Sequence, residues 1–550
     1  MRSRLAAKRT LNFGTLGAAV LVLATLPALS AERCAQCHPG EVGGFQATPM
    51  AHSVSLPAPE PAGKFFHSIS QTEFSIKYHG STLDQQISRG GLSANHPIAY
   101  AVGSGAHAVS YLIEVSGRLF QSPLCYYPRR ARWSMAPGYE NALAPDFYRP
   151  IVPHCLFCHA SRALPVAGTV NGYESPPFAG EHMGITCERC HGPAEAHLRN
   201  PVPGSIVNPA KLAPAARDSV CEQCHLSGEA FIVNPGRKLS DFRPGESMEN
   251  VFSVYVYKSS RDPKHPDALT VISQSQQLAL SECARMSGGK LWCGTCHNPH
   301  RLPVHPEAYY RARCLSCHGA ELLKTHPKPN ENCIDCHMPR LPVTNGGHTI
   351  FTDHRIAIYP PQQIAAGKAF TTASSPASTF AERAGVLVPW REPPPQFARR
   401  NLGLADIEVG ERVKSLAMIQ RGYRLLVKCL PRFPNDPAVL TAAGQVLLGA
   451  HHAAEAEAMF ERVIQIQPNN APDYLHAALA LKAAGNEQKA IEYLNHALQL
   501  DPIMRQPYVD LVGIYEEQGN ATMLLRTDER YAAAFPKMLD AQRQLGGRRR

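Results

Sequence analysis

Seven copies of one short pattern, Cys-x-x-Cys-His, contain fourteen of the seventeen cysteines of this 550-residue chain. The cysteines of the pattern are Cys34, Cys37, Cys155, Cys158, Cys187, Cys190, Cys221, Cys224, Cys293, Cys296, Cys314, Cys317, Cys333 and Cys336. Its histidines are His38, His159, His191, His225, His297, His318 and His337. At this spacing two thiols can add to the two vinyl groups of a haem while the histidine coordinates the iron from one side. The sequence therefore predicts seven covalently attached haem c groups.

Zinc sites and disulfide bonds also use paired cysteines, so both are alternatives to haem. A Cys₄ zinc site needs two pairs, and seven pairs leave one pair over. Disulfides suit an exported protein, but they explain neither the constant spacing nor the histidine. With 25 histidines in 550 residues, seven chance histidines have odds of roughly 10⁻⁹ to 10⁻¹⁰. Cys125, Cys283 and Cys429 lie outside the pattern, and a Cys125–Cys283 disulfide is one use for two of them.

An electron-transfer haem usually takes a second axial ligand, either His or Met. Eight histidines outside the motifs lie in compact segments, one more than seven irons need. These distal candidates are His52, His67, His107, His182, His197, His300, His348 and His354. Because histidine is plentiful, we expect bis-His ligation. His300 lies three residues beyond His297, too close to reach the opposite face of the same haem. We expect His300 and His354 each to coordinate a haem other than the one that it follows.

The N-terminal segment predicts export from the cytoplasm. Four basic residues and no acidic residue occupy positions 1–9, and an apolar run with small residues at its end follows. This is the order of a secretory signal, which we assign to residues 1–31. An uncleaved membrane anchor is the alternative, although the apolar run is short and contains Pro27. We expect no membrane span after cleavage, and a periplasmic or extracellular location.

The formal net charge of the chain is +10. Each haem would add two propionates, so we interpret part of the basic excess as counter-charge for those groups. The charge is therefore not taken as a sign of nucleic-acid or membrane binding.

For residues 32–355 the sequence predicts a multihaem cytochrome c domain whose core is formed by haems. We expect it to be mostly helix and loop, with a small β-rich subdomain. Three motifs fall within residues 293–337, too short a segment for an apolar core of its own, so the macrocycles must supply that core. The alternation in TEFSIKY, residues 72–78, predicts a strand. The segment SYLIEVSGRLFQS predicts a hairpin that turns at Ser116-Gly117, and ENVFSVYVYK at 249–258 predicts a further strand.

The composition then changes to Ala, Pro, Ser and Thr over residues 356–402, which predicts a linker. Beyond it, four prolines recur every 34 residues, the period of tetratricopeptide (TPR) repeats. They are Pro434, Pro468, Pro502 and Pro536. Residues 403–540 are therefore predicted to form an all-α superhelix of about four repeats, followed by a basic tail at 541–550. We expect Gly485 and Gly519 at turns between paired helices.

Such repeats contact only their neighbours, so we expect the array to fold without the haem domain. It would bind partner proteins or mediate self-association, filament formation included. An unrelated helical bundle is the alternative.

The strings GITCERCHGPAEAH, CGTCHNPH, CIDCHMP and TDHRI resemble periplasmic multihaem cytochromes of the c-554 family. The resemblance covers residues 32–356, and bacterial members fused to C-terminal TPR repeats are similar. This family includes the tetrahaem electron acceptor of hydroxylamine oxidoreductase, so the resemblance implies electron transfer. The string CHMP also recurs in pentahaem nitrite reductases and octahaem oxidoreductases. The nitrite reductases typically attach the active haem through Cys-x-x-Cys-Lys, and this chain contains no such motif.

Three functions from different classes remain open at this stage. The first is electron transfer through seven haems to redox partner proteins. The second is a multihaem oxidoreductase acting on a small nitrogen or sulfur compound, which needs one haem with an open distal position and nearby proton donors. The third is a scaffold whose TPR repeats dock redox partners. No catalytic residue is predicted.

Overall fold

The computed structural model describes residues 30–178, 183–262, 269–319, 321–368 and 385–539. The predicted signal, apart from its last two residues, the basic tail 541–550 and the candidate ligand His182 lie outside these residues. Among the helices of the described ranges, none is long and apolar enough to cross a membrane.

Two antiparallel sheets form most of the N-terminal part. Their strands are β1 Val54–Ser55, β2 Gly63–His67, β3 Thr72–His79, β4 Thr82–Arg89, β5 Leu92–Pro97, β6 Tyr100–Val102, β7 Val109–Val115, β8 Arg118–Tyr127, β9 Arg132–Met135 and β10 Arg149–Pro150. One sheet has the order β2-β3-β4-β5, and the other has the order β1-β6-β7-β8-β10 with β9 also paired to β8. A common apolar core contains Phe74, Tyr111 and Trp133.

The predicted strands of this part are present. In β3, Phe74 and Ile76 are fully buried while the residues between them are not, as the alternation requires. The β7–β8 hairpin turns at Ser116-Gly117, with φ values of 49° and 72°. Two positive φ angles are the mark of a type I′ turn, whose twist matches that of the flanking strands. The prediction of a β-rich subdomain is therefore confirmed.

Short helices and strand pairs follow. The helices of the motif region are α1 Ser30–Ala35, α2 Pro39–Gln46, α3 Pro153–His159, α4 Glu188–His191, α5 Glu195–Arg199, α6 Pro214–His225, α7 Gln274–Leu280, α8 Glu282–Met286, α9 Cys293–Cys296, α10 Pro306–His318, α11 Glu321–Thr325, α12 Cys333–His337 and α13 Pro361–Lys368. The strands are β11 Ala163–Pro165, β12 Tyr173–Phe178, β13 Ala230–Val233, β14 Phe252–Tyr257, β15 Arg340–Pro342, β16 Ile350–Thr352 and β17 Leu387–Pro389. They pair as β11-β12, β15-β16 and β13-β14-β17. Within the described part of 282–338, no side chain is buried.

The C-terminal part is a superhelix of paired helices. They are α14 Ala398–Arg412, α15 Leu416–Val427, α16 Pro437–Gly449, α17 Ala453–Ile466, α18 Ala471–Ala483, α19 Glu487–Leu500, α20 Arg505–Glu517 and α21 Ala521–Ala534. From α16 onwards, equivalent helices begin 34 residues apart, which is the TPR period. Gly485 and Gly519 have positive φ at the turns, and His451 has φ 65° at the equivalent position of the preceding repeat. The predicted TPR superhelix is confirmed, although its first helix begins five residues before position 403.

The segment predicted as a linker, 356–402, needs correction. It contains α13, β17 and the start of α14. Next to β17, the Trp390 indole donates to Glu222 at 2.9 Å, and Arg391 pairs with both Glu222 and Glu249. The composition of the whole segment hides the short apolar run around β17, which completes the β13-β14 sheet as a third strand.

Both ends of the superhelix are attached to the N-terminal part. Near its start, the amide of Asn401 donates to the side chain of Asn234 at 2.8 Å. Near its end, Arg118 and Asp501 form a largely buried ion pair at 2.7 Å, and Phe535 belongs to the same core as the β-sheets. The expectation that the repeats form an independent module therefore needs correction, because their apolar surface is buried against the sheets.

We expect replacement of Arg391 by alanine to destabilise the protein by about 3 kcal/mol or more, because it leaves two buried carboxylates without their cation. The matched control is Arg412→Ala, which removes an ion pair with Glu229 that is 44% exposed on the arginine side. That change should cost about 0–1 kcal/mol. Urea unfolding of the mature protein measures both values. Equal midpoints for the two variants would contradict the assignment of Arg391 as a buried anchor.

Candidate functional site

Each Cys-x-x-Cys-His motif lies on a helical turn or beside one. The motifs at 221–225 and 314–318, for example, form the last turns of α6 and α10. In the motifs at 34–38, 187–191 and 293–297, the amide of the histidine donates to the carbonyl of the first cysteine at 2.8–2.9 Å. Because positions i, i+3 and i+4 of a helical turn share one face, each motif presents two thiols and one imidazole together.

The seven motifs face one continuous cavity of about 4350 Å³. All seven motif histidines line it, as do the motif cysteines with the exception of Cys155. Shared equally, this volume gives about 620 Å³ to each motif, within the range of roughly 300–1,000 Å³ for pockets that hold one drug-sized ligand. The cavity is therefore large enough for one large ligand at every motif.

Four motif histidines face a second histidine that also lines the cavity. The pairs, with the distances between ring centroids, are His38–His197 at 6.4 Å, His191–His300 at 5.8 Å, His297–His354 at 6.1 Å and His337–His326 at 6.1 Å. The second histidines of the first three pairs are among the eight predicted distal ligands.

These distances fit a metal ion held between two imidazoles. A ligating imidazole nitrogen lies about 2.0–2.1 Å from a metal such as zinc, and each ring centre lies one ring radius further back, so facing centroids are roughly 6 Å apart. Rings in direct contact would lie about 3.5–4.0 Å apart. The centroid distances of the four pairs match this spacing.

In two of the pairs, the second histidine faces a motif other than the one that it follows in the sequence. His300 follows the motif at 293–297 but faces His191. His354 follows the last motif but faces His297. Two ligands to one metal would therefore join segments that are distant in the sequence.

Six of the cavity histidines have a hydrogen bond from Nδ1 to an oxygen, and a seventh, His326, accepts at Nδ1 from the backbone amide of Lys328 at 3.1 Å. Backbone carbonyls accept from three of them: Val207 from His191 at 2.8 Å, Ala357 from His337 at 3.0 Å and Thr352 from His354 at 2.9 Å. Side-chain oxygens are the partners of the other three: Ser205 of His197 at 2.8 Å, Gln274 of His225 at 3.4 Å and Tyr310 of His297 at 3.3 Å. A carbonyl oxygen only accepts, so Nδ1 carries the proton and Nε2 keeps a free lone pair. Metal-ligating histidines almost always make such an outer hydrogen bond.

The surroundings also favour the neutral form of His297, His300 and His354. Desolvation, with repulsion from His354 and His225, lowers the pKa of His297 to about 4. Desolvation is likewise the main cause that lowers the pKa of His354 and of His300. Neutral imidazole is the form that binds a metal.

Three predicted ligands, His52, His67 and His348, do not line the cavity. His52 makes a 2.7 Å hydrogen bond from Nε2 to the carbonyl of Gln46. His67 is buried in the β-rich part, with one ring nitrogen on a hydroxyl and the other on a backbone carbonyl. His348 lies 3.1 Å from the hydroxyl of Ser134. Each is near a motif in the sequence or in a compact segment, but the fold gives it other partners.

His107 does line the cavity, where its ring stacks on Phe351 with centroids 4.3 Å apart. Its Nδ1 is buried without a hydrogen-bond partner in the described part of the chain. His107 therefore stays a candidate, and His182 lies outside the described residues. Three motif histidines have no facing histidine ring within the described ranges: His159, His225 and His318.

Sequence reasoning missed His326, which faces His337. This residue lies between the last two motifs, in the segment KTHPKP. Its position in the sequence is the feature that predicts this role, because a histidine between two closely spaced motifs must lie close to both of them.

The thiols of different motifs are close to one another. Burial and the nearby Cys34 thiol raise the pKa of Cys187, and the nearby Cys293 thiol together with burial raises the pKa of Cys221, so the motifs at these positions are neighbours. All seventeen cysteines are free, so Cys125 and Cys283 do not form a disulfide. In the part of the chain that the structure describes, no group of three or more His, Cys, Asp or Glu side chains is arranged to hold a metal ion. A haem iron takes at most two ligands from the protein, so a haem site would not form such a group.

The C-terminal part of the chain is similar to known proteins. Residues 474–503 match the family described as tetratricopeptide repeat. A crystal structure of MamA is 17% identical over 27% of this chain and 81% of that chain, with a TM-score of 0.24. A thermophilic TPR protein from Thermus thermophilus is 16% identical over 26% of this chain and 79% of that chain, with a TM-score of 0.23. No curated protein gives a significant match. The chain thus contains a TPR repeat within its C-terminal superhelix.

Proposed function

We propose that this protein transfers electrons through seven covalently attached haem c groups, in the periplasm or outside the cell. The observation that carries the proposal is the single cavity that all seven motifs line. Electron transfer along a chain of centres requires that neighbouring centres lie close together. Contacts between motif segments, such as that of Arg217 on α6 with Trp292 beside Cys293, support that closeness.

The roles of the residues follow from their chemistry. The motif cysteines would attach each haem, and the motif histidines would coordinate the irons from one side through Nε2. His197, His300, His326 and His354 would coordinate four of these irons from the other side. When bound, haem supplies a one-electron Fe(III)/Fe(II) couple, and bis-His ligation favours a lower potential than His/Met ligation.

The TPR superhelix would contribute the contact with other proteins. TPR repeats form extended protein-binding surfaces, and this superhelix is attached to the N-terminal part at both ends. A redox partner bound there would be held at a fixed position relative to the haems. Self-association of the repeats would likewise hold the haems of one copy at a fixed position relative to those of another copy.

The proposed location follows from the N-terminal sequence and from cofactor chemistry. The order of basic, apolar and small residues over 1–31 is that of a secretory signal. Seventeen free cysteines would be unusual in an oxidising compartment unless most of them are engaged, and thioether bonds to haem would engage fourteen.

Electron paramagnetic resonance of the oxidised protein tests this function. We expect low-spin signals from all haems, because a carrier needs two strong axial ligands at each iron. A stoichiometric high-spin signal from one haem would contradict the assignment as a carrier. That result would favour an oxidoreductase acting on a small nitrogen or sulfur compound at an open site.

A further inference from the structure

The outer hydrogen bonds of the motif histidines are of two kinds. His191 and His337 donate to backbone carbonyls at 2.8 and 3.0 Å. His225 and His297 have side-chain partners instead, the amide oxygen of Gln274 at 3.4 Å and the phenol oxygen of Tyr310 at 3.3 Å. Ordinary N–H···O hydrogen bonds measure about 2.7–3.2 Å, so only the first two fall within that range.

Gln274 is held by a second hydrogen bond, and Tyr310 also packs on the ring of its own partner. Gln274 donates through its amide nitrogen to the carbonyl of Val271 at 2.8 Å, which leaves its amide oxygen directed at His225. The ring of Tyr310 packs edge-on against His297 with centroids 5.6 Å apart. Both side chains line the cavity.

The strength of an outer hydrogen bond changes the properties of the metal that the histidine binds. A strong acceptor at Nδ1 makes the imidazole more basic, which stabilises the more highly charged metal. For haem, hydrogen bonding around the axial ligand is one of the means by which a protein sets the reduction potential. A weak acceptor therefore leaves the potential higher than a strong one does.

We propose that Gln274 and Tyr310 are positioning residues that set the reduction potentials of the haems at 221–225 and 293–297 above those at 187–191 and 333–337. This inference rests on the proposed function. The two haems would be neighbours, because the guanidinium of Arg217, on the helix that carries the motif at 221–225, lies 5.0 Å from the ring of Trp292, which precedes Cys293. Electrons entering the chain would therefore collect on this pair before they leave it.

Substitutions at Gln274 test the inference in both directions. In Gln274→Glu, a carboxylate replaces the weak acceptor, and one potential should fall by 59 mV or more, a tenfold change in the one-electron equilibrium constant. In Gln274→Leu the acceptor is lost, and the same potential should rise. The control is Gln276→Leu on the same helix, whose amide accepts from the backbone of Ser227 rather than from a histidine. Spectroelectrochemical titration above neutral pH, where a carboxyl is ionised, resolves the shifts.

Substitutions of Tyr310 and of its neighbour Tyr309 provide a second, independent test variant and control. Tyr310→Phe removes the phenol oxygen and should raise one potential, whereas Tyr309→Phe, at a neighbouring ring that contacts Arg313, should change none. The potential that moves should lie above at least two of the seven. Unchanged potentials in Gln274→Glu and Tyr310→Phe, or shifts confined to the two lowest potentials, would overturn the inference.

Haem content, measured on the same samples, separates this inference from the proposed function. If seven haems are attached and the potentials do not move as stated, the inference alone is wrong. If the protein attaches no haem, both are wrong.

Discussion

Replacement of His300 by alanine will leave all seven haems attached but will convert one of them from low-spin to high-spin. The thioether bonds do not involve His300, so attachment is unaffected. The ring of His300 faces that of His191 at 5.8 Å, with the planes 15° apart, so its loss removes one of two strong axial ligands. The potential of that haem will rise, and electron flow through the chain will slow. Electron paramagnetic resonance and intact mass together measure the outcome.

Two further variants serve as a positive and a negative control for this experiment. His326→Ala should give the same change at a different haem, because His326 faces His337. His52→Ala should change nothing, because His52 is hydrogen-bonded to Gln46 and does not line the cavity. Full low-spin intensity in His300→Ala, or a high-spin signal in His52→Ala, would contradict the ligand assignment.

A chain that matures without haem will lose the structure of its motif region. The cavity measures about 4350 Å³. Without a ligand, water fills this partly open space and its apolar lining stays exposed, so the region loses the burial that a haem would provide. Whole domains are stable by only about 5–15 kcal/mol, so we expect the region to lose this shape without ligands. Within the described part of 282–338, no buried side chain offers a substitute core.

The N-terminal sheets and the C-terminal repeats should keep their structure without haem. The N-terminal sheets and the repeats from α18 onwards share one apolar core of conventional side chains, which does not depend on haem. Expression without the cytochrome c maturation machinery should therefore give a chain that keeps helical circular dichroism but is cleaved rapidly between 282 and 338. Limited proteolysis with mass spectrometry compares it with the mature protein. Resistance of this segment in the haem-free chain would contradict the account.

Local periodic signals made much of the fold predictable from the sequence. The 34-residue spacing of the prolines located the TPR repeats, and alternation located β3. The sequence Ser116-Gly117 identified a turn because glycine tolerates the positive φ that the hairpin requires. Each of these signals depends on neighbours within one element, so a single sequence contains it.

Contacts between distant segments were not predictable in this way. The apolar run that forms β17 is too short to be recognised within its Pro-rich surroundings. It becomes a strand because it pairs with the edge of β14 that β13 leaves unpaired. The attachment of the repeats through Asp501 to Arg118 depends on the relative placement of two domains. Likewise, which histidine faces which motif depends on how the short helices pack, and for that reason His326 was missed while His52 and His348 were chosen.

The haem content of the mature protein tests the central claim most directly. The pyridine haemochrome assay, referred to protein concentration, and intact mass after denaturation each count the covalently attached haems. Seven complete motifs that line one cavity predict seven haems per chain by both methods. A count of five or fewer in properly matured protein would contradict the account.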